Sequence, residues 1–456
     1  MTPLRRRPAA RLLALSLSSL AIGALAVTGL AAPAVAAEAA SAQVTGRITS
    51  PASVPGSHRY VVQAWSIDAD LEDSVLAAST TTTVDAGATG DYTLPTLPSG
   101  SYVVRVLEQP AGSGVPSVGD EFWQDTDWVG SAQDVEVGES AVSGIDFTPS
   151  PYFFSSQRVQ GSDRYGTSVA TTQAFEPGVP VLYIASGAGW ADALSAGPAA
   201  AVQGGALLLT DPDVLPAAVA SEITRLAPLK TVVVGSALTV STAVYSQIEA
   251  LVGEIDRVGG TDRYDTSRQL VAGAFPFSTA DEVFLATGGN FPDALSVAPV
   301  AGRSGSAVLL VDGAKDGLDA ATTDAVERLD ATTAVVIGQE PSISAGIEAD
   351  LVSSGAVDET TRIGGPSRYA TSRLVNEAYP PAPLVDTTYL ASGEGFADAL
   401  SGATVAAAQG YPISLSYPAC VPGETVDSLK RLHVDTAFVL GSELTLSRAV
   451  STVTAC

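Results

Sequence analysis

The sequence predicts an α/β protein in which three tandem units, each a doubly wound parallel sheet, follow a smaller all-β segment. Three observations predict it. Beyond residue 156, four sequence blocks recur three times in one order at a spacing of about 100 residues. Within each copy, short apolar runs such as LYIAS, ALLLT and TVVVG alternate with stretches of helical length such as SEITRLAPL and STAVYSQIEALVG. That is the pattern of parallel strands covered by helices on both faces. Between Gln43 and Ser150 the texture is different, with short alternating strands broken by Gly, Pro, Ser and Asp.

Taken from the N-terminus, Arg5, Arg6, Arg7 and Arg11 flank an apolar stretch from Leu12 to Leu30 that ends in small residues at Ala34-Val35-Ala36. This is the order of a secretory signal peptide over residues 1–36, followed by a linker at 37–42. Removing those four arginines takes the net charge from -26 to -30. No later run of about 18 apolar residues follows, and no lipidation cysteine stands near the cleavage site. The expectation is a secreted chain at the cell wall or cell surface, with no membrane insertion after signal cleavage.

Composition narrows the chemistry. With 49 acidic against 23 basic residues the chain lacks the cationic surface that nucleic-acid binding requires. Two cysteines and two histidines leave little room for a metal cluster or thiol redox site. Cys420 and Cys456 are expected to pair in an oxidising exterior. Two unpaired buried thiols are the alternative.

Residues 43–150 carry the strands QVTGRITS, YVVQAWSID, GDYTLPTL, SYVVRVLE and AVSGIDFTP, with 3 basic and 15 acidic residues. The run TGDYTLPTLPSGSYVVRV resembles the prealbumin-like modules called carboxypeptidase regulatory-like or Cna-B-like domains. The resemblance implies an all-β prealbumin-like sandwich. The Lys-Asn cross-link of some such modules is excluded, because residues 42–150 contain neither lysine nor asparagine. Asp68, Asp70, Glu72 and Asp73, and Asp120, Glu121, Asp125 and Asp127, form acidic groups that suit calcium. Acidic residues on solvated loops are the ordinary outcome of the same composition.

Three α/β repeats are expected at 156–255, 256–360 and 361–456. The blocks read RVQGSDRYGTS, RVGGTDRYDTS and RIGGPSRYATS, then ASGAGWADALS, ATGGNFPDALS and ASGEGFADALS, then a short apolar run, and finally VVVGSALTVS, VVIGQEPSIS and FVLGSELTLS. Strands end in Gly where the chain turns into a helix, at Gly187, Gly235, Gly288, Gly338, Gly393 and Gly441. This arrangement resembles the cell-wall-binding repeats of type 2. The resemblance implies three flavodoxin-like repeats about a pseudo-threefold axis, attached non-covalently to a secondary polymer or other glycan of a Gram-positive envelope.

Arg164, Arg263 and Arg368 each precede a tyrosine (Tyr165, Tyr264, Tyr369) just after a Gly turn. An arginine fork can grip phosphate or carboxylate, and the tyrosine can add stacking surface or a hydroxyl. Together with Arg268 and Arg373, these six side chains are the polymer-binding hypothesis. The competing reading is an internal salt bridge from each arginine to Asp192, Asp293 or Asp398. Those aspartates also stand where an N-cap would serve the following helix. Trp190, Phe291 and Phe396 share one aromatic position and suit a core plug or a sugar platform.

No catalytic set emerges. Ser186 and Ser392 face Thr287 in the middle copy, and His58 and His433 lie outside every shared block. The Gly-rich turn is not a complete dinucleotide or phosphate fingerprint. The expected function is a non-enzymatic surface protein bound to the wall through its repeats. One alternative is an adhesion or matrix scaffold whose β-sandwich binds the partner. Another is a wall hydrolase with an unrecognised site.

Overall fold

A computed structural model describes residues 41–66, 75–109, 121–124, 133–149, 154–275, 280, 282–381, 385–432 and 434–456. The signal peptide, the first part of the linker, Asp68, Asp70, Glu72, Asp73, Asp120, Asp125, Asp127 and His433 lie outside the described residues. The chain divides into two compact units, Met1–Phe153 and Phe154–Cys456.

In the first unit every element among the described residues is a strand: β1 (Ser41–Ala42), β2 (Thr45–Thr49), β3 (Ser57–Ser66), β4 (Val75–Asp85), β5 (Thr89–Thr93), β6 (Leu97–Pro98), β7 (Gly100–Glu108), β8 (Glu121–Phe122) and β9 (Val135–Val137). Their pairings with one another are antiparallel, and Ile48 of β2 makes an isolated parallel bridge to Phe147. The largest sheet runs β4-β3-β7-β8, with β9 also on β7, while β1-β6 and β2-β5 form pairs. Alternate residues face a common core that includes Ile48, Tyr60, Val62, Leu94, Leu97, Val104 and Phe147. Glu121, one of the acidic residues considered for calcium, instead accepts the backbone N–H of Thr148 at 3.1 Å.

The second unit begins with β10 (Ser155–Val159) and α1 (Arg164–Thr172). Then come β11 (Val181–Ser186), α2 (Ala191–Val202), β12 (Ala206–Thr210), α3 (Ala217–Leu226), β13 (Lys230–Val234), α4 (Thr242–Glu249) and β14 (Ile255–Val258). The second passage supplies α5 (Arg263–Ala274), β15 (Glu282–Thr287), α6 (Pro292–Ser304), β16 (Ala307–Val311), α7 (Ala320–Leu329), β17 (Thr333–Ile337), α8 (Ala345–Ser353) and β18 (Glu359–Ile363). The third supplies α9 (Arg368–Ala378), β19 (Thr387–Ser392), α10 (Ala397–Gln409), β20 (Ile413–Ser416), α11 (Gly423–Arg431), β21 (Thr436–Leu440) and α12 (Arg448–Ser451). This is a mixed α/β chain of repeated β/α units.

Three parallel four-stranded sheets result, in the orders β12-β11-β13-β14, β16-β15-β17-β18 and β20-β19-β21-β10. The central strands are buried on both faces, as unbroken apolar runs require. The fourth strand of each sheet comes from the R-[VI]-x-G block of the next passage. In the third sheet that strand is the first block of all: Ser155–Val159 runs beside Thr436–Leu440. The chain therefore closes on itself.

Helices α2, α6 and α10 pack against one another in pairs. Their sequences are rich in Ala and Gly, which lets backbones approach closely. A Cβ on Gly302 would lie 2.6 Å from the Cβ of Ala407 and 2.7 Å from that of Ala201. Leu194, Leu295 and Leu400, one from each helix, join a single apolar cluster. Cys420 and Cys456 form a disulfide, 36 residues apart. Among the described residues no helix is long and apolar enough to cross a membrane, and no group of three or more His, Cys, Asp or Glu is placed to hold a metal.

Candidate functional site

The repeated blocks meet at three seams near the C-terminal ends of the strands. Helices α1, α5 and α9 begin at Asp163, Asp262 and Ser367, whose side chains accept the backbone N–H of Gly166, Asp265 and Ala370 at 2.8, 2.8 and 3.2 Å. This cap fixes the next residue, an arginine, at the helix start. Arg164, Arg263 and Arg368 donate through Nη1 to the carbonyls of Gly187, Gly288 and Gly393 at 2.6, 2.6 and 2.5 Å. Each guanidinium also lies over an aromatic ring of the preceding repeat. Arg263 is 4.7 Å from the Trp190 ring centroid, Arg368 is 5.7 Å from Phe291, and Arg164 is 5.6 Å from Phe396.

Those rings also touch one another, Trp190 to Phe291 at 6.4 Å and Phe291 to Phe396 at 6.1 Å between centroids. They are half-buried, so the aromatic position is a packed junction between repeats. The ring of the tyrosine after each arginine lies against the same glycine. A Cβ at Gly187, Gly288 or Gly393 would sit 2.6, 2.5 or 2.4 Å from the ring of Tyr165, Tyr264 or Tyr369, so only glycine fits.

The aspartates depart from the sequence expectation. The N-cap positions of α2, α6 and α10 are Trp190, Phe291 and Phe396, with no side-chain cap bond. Asp192, Asp293 and Asp398 lie two residues further, within the first turn, and are largely buried. No direct ion pair joins them to the arginines among the described residues. Arg263, Arg368 and Arg164 act on them through charge at longer range, while nearby hydroxyls favour the ionised form: Thr266 and Thr239 beside Asp192, Ser342 beside Asp293, Thr167 and Thr445 beside Asp398. Burial raises all three carboxyls above the usual carboxylate range, and it pushes Asp293 up to about 6. The hydroxyls and the arginine oppose the rise. The aspartates are crowded by glycines at φ +94, +105 and +89, where a Cβ on Gly235, Gly338 or Gly441 would lie 2.5, 2.6 or 2.2 Å from Oδ2.

A second set of arginines at the seams carries no assigned role in the sequence reading. Arg158, Arg257 and Arg362, at the start of each R-[VI] block, donate to the carbonyls of Gly441, Gly235 and Gly338 at 2.7, 2.9 and 2.8 Å. The signal was present, since the arginine recurs with the glycine, but the partner lies across the seam. Arg268 and Arg373 sit elsewhere. Arg268 is held by Asp265 and Asp319 at 3.7 and 3.4 Å between α5 and α7. Arg373 pairs with Glu377 at 2.6 Å and with Glu424 at 3.9 Å between α9 and α11, where Arg431 joins Glu377 as well. Both are neutralised by carboxylates and largely covered.

The tyrosines diverge at their tips. Tyr165 donates to Asp211 at 3.2 Å, whereas Tyr369 lies 4.0 Å from the Tyr417 ring centroid. The hydroxyls of Ser186, Thr287 and Ser392 accept the backbone N–H two residues on, at 3.2, 3.0 and 3.1 Å, and so hold the Gly turns. At the seam between the third and first repeats a cleft of about 340 Å³ opens, with Asp163, Arg164, Thr167, Glu394, Phe396 and Asp398 among its lining. The cleft brings charges of both signs beside a half-buried aromatic ring.

Comparison with known proteins agrees with this architecture. The cell wall binding domain 2 (CWB2) model matches residues 158–245, 257–348 and 362–451. N-acetylmuramoyl-L-alanine amidase LytC of Bacillus subtilis (strain 168) is 29% identical over 251 residues, covering 55% of this chain and 48% of the relative. The amidase enhancer of the same organism is 25% identical over 294 residues, covering 64% and 39%. The chain thus spans about half or less of the length of these curated relatives. Cwp6 from Clostridium difficile shares the fold with a TM-score of 0.61 at 16% identity, covering 91% of this chain and 68% of Cwp6. For Cwp8 of the same organism the values are 0.58, 22%, 65% and 51%. With three matched segments that together span more than half of its residues, the chain belongs to the cell wall binding domain 2 family.

Proposed function

We propose that the chain is a secreted, non-catalytic surface protein of a Gram-positive cell, and that its three repeats close about a pseudo-threefold axis to grip an anionic secondary wall polymer or other envelope glycan non-covalently. Family membership supports attachment to the wall. The observation that carries the finer reading is the cyclic set of seams, in which Arg164, Arg263 and Arg368 each hold a strand-end carbonyl and a neighbouring aromatic ring. Fixed cations beside aromatic surface at the mouth of a cleft suit a charged glycan. The first unit, read as a prealbumin-like sandwich, serves as a spacer or interaction module.

Residues 151–456 carry 16 basic and 33 acidic residues, so the ligand must be held by local arginines or by bridging cations such as calcium. Co-sedimentation with purified walls, before and after the secondary polymers are stripped, tests this across a salt and calcium series. Binding should vanish on stripping and change with salt. Arg263→Lys with Arg368→Lys keeps the charge but not the planar fork, and should fold while sedimenting less. Equal sedimentation of that folded variant overturns the assignment to the seams. The hydrolase reading rests on the relative named as an amidase; release of soluble wall fragments by the purified chain would establish it in place of the non-catalytic one.

A further inference from the structure

Strand β4, eleven residues long, is the end strand of the largest sheet in the first unit. Its inner side pairs with β3 from Asp85 back to Val75, and the register shifts near Ala77, which leaves a bulge. Among the described residues no backbone hydrogen bond reaches Val75–Val84 from the outer side. Two bonds fix which groups are free. Ala86 donates to Gly56, in phase with the Val84–His58 pairing, so the even residues of β4 turn their backbone groups toward β3. Gln109 donates to Arg59, so the odd residues of β3 face β7 instead. Ser79, Thr81 and Thr83 therefore present outward N–H and C=O groups that meet no backbone partner among the described residues. The bulge ends this phase, which confines the open ladder to Ala78–Val84.

Edges of this kind are normally blunted by charge or proline. Val75–Val84 reads VLAASTTTTV and contains neither, although residues 43–150 hold 15 acidic side chains and the whole chain carries -26. Copies of so acidic a chain repel one another over most of their surface, and an uncharged, β-branched edge removes that opposition locally. The strip is also self-complementary. If Thr81 faces Thr81 of a second copy in antiparallel register, Ser79 opposes Thr83, Thr80 opposes Thr82, and Ala78 opposes Val84. Threonine pairs of this kind are favourable across strands, and no like charges meet.

We propose that two copies of this chain join through β4, over Ala78–Val84, as an antiparallel two-fold pair centred on Thr81, with about six backbone hydrogen bonds supplied by Ser79, Thr81 and Thr83. The contact is small, so the dimer is expected to be concentration-dependent.

Sedimentation equilibrium of the purified chain, up to millimolar concentration, tests it. The parent should dimerise. Thr81→Pro removes an outward N–H that has no partner among the described residues, and Thr81→Asp sets two carboxylates opposite each other; both should be monomeric with thermal unfolding close to the parent's. A Thr81→Cys chain should form an intermolecular disulfide readily, and a Ser79→Cys chain should do so only when mixed with Thr83→Cys. A parent that stays monomeric overturns the proposal, whatever else binds the edge. So does a dimer that survives both Thr81→Pro and Thr81→Asp, or cross-linking that ignores the register.

Discussion

The guanidinium of Arg164, from the first repeat, lies 5.6 Å from the ring centroid of Phe396, from the third. The two are joined across the point where the chain closes, and the equivalent contacts of Arg263 and Arg368 run between consecutive repeats. An exposed cation over a half-buried aromatic ring contributes on the order of 0.5–1 kcal/mol. A double-mutant cycle of Arg164→Met and Phe396→Leu, followed by urea unfolding, should show coupling of about that size. Additive effects would show that the carbonyl of Gly187 alone holds the arginine.

Asp293 is buried beside Ser342 and Gly338, and its pKa of about 6 lies above that of the unfolded chain, ordinarily about 4. A raised carboxyl favours the folded state when protonated, so this residue adds stability as pH falls from about 6 toward 4 and withdraws it as pH rises through 6. Asp293→Asn should flatten that part of the stability profile relative to the parent. Denaturant midpoints at a series of pH values check it, and parallel profiles for the two proteins would refute the placement.

His58 in the first unit has its Nδ1 2.7 Å from Glu108 Oε1 and its Nε2 3.0 Å from the carbonyl of Val54. Burial works to lower its pKa, but the Glu108 bond, the Val54 carbonyl and the charge of Glu108 together raise it. A raised histidine contributes stability below its unfolded pKa, about 6.5, and loses it as pH rises through the folded value. His58→Gln should remove that loss. Unfolding of the first unit followed by Trp65 fluorescence, above and below neutrality, reads it directly.

Gly302 of α6 stands against Ala201 of α2 and Ala407 of α10. Gly302→Val inserts a branched side chain against Ala201 and Ala407 and should destabilise the second unit by at least 1–3 kcal/mol. Gly305→Ala, on the next turn with open space around it, pays only for its positive φ and should cost less. Equal losses would mean that the helices do not meet at Gly302.

Replacing Cys420 and Cys456 by serine opens a loop of 36 residues around α11, β21 and α12. The chain-entropy model gives a loss of roughly 3 to 4 kcal/mol. Calorimetry of the double variant should show a lower transition for the second unit and an unchanged one for the first.

Much of this architecture was legible because each repeat carries its own punctuation. The apolar runs LYIAS, FLAT and YLAS became central strands, and the glycines that end them became the turns beneath the tyrosines. What stayed hidden was partnership. The R-[VI] strands look like the opening of each repeat, yet they complete the preceding sheet, because periodicity reports a strand but not its neighbour. Asp192, Asp293 and Asp398 read as caps, since a carboxylate before Ala-Leu-Ser fits one, but the aromatic two residues earlier takes that place and the carboxylate is largely buried. Arg268 and Arg373 read as equivalents of the seam arginines by recurrence alone, whereas nearby carboxylates claim them. Strand β4 was missed altogether, because a run of Ala, Ser and Thr shows no alternation of apolar and polar residues.

Ser155–Val159 opens the second unit and pairs with Thr436–Leu440 near its other end. Drawing the two ends of that unit apart therefore means breaking a parallel ladder of five residue pairs before either end can leave the ring. The clasp that shuts the ring is thus also its first point of mechanical resistance.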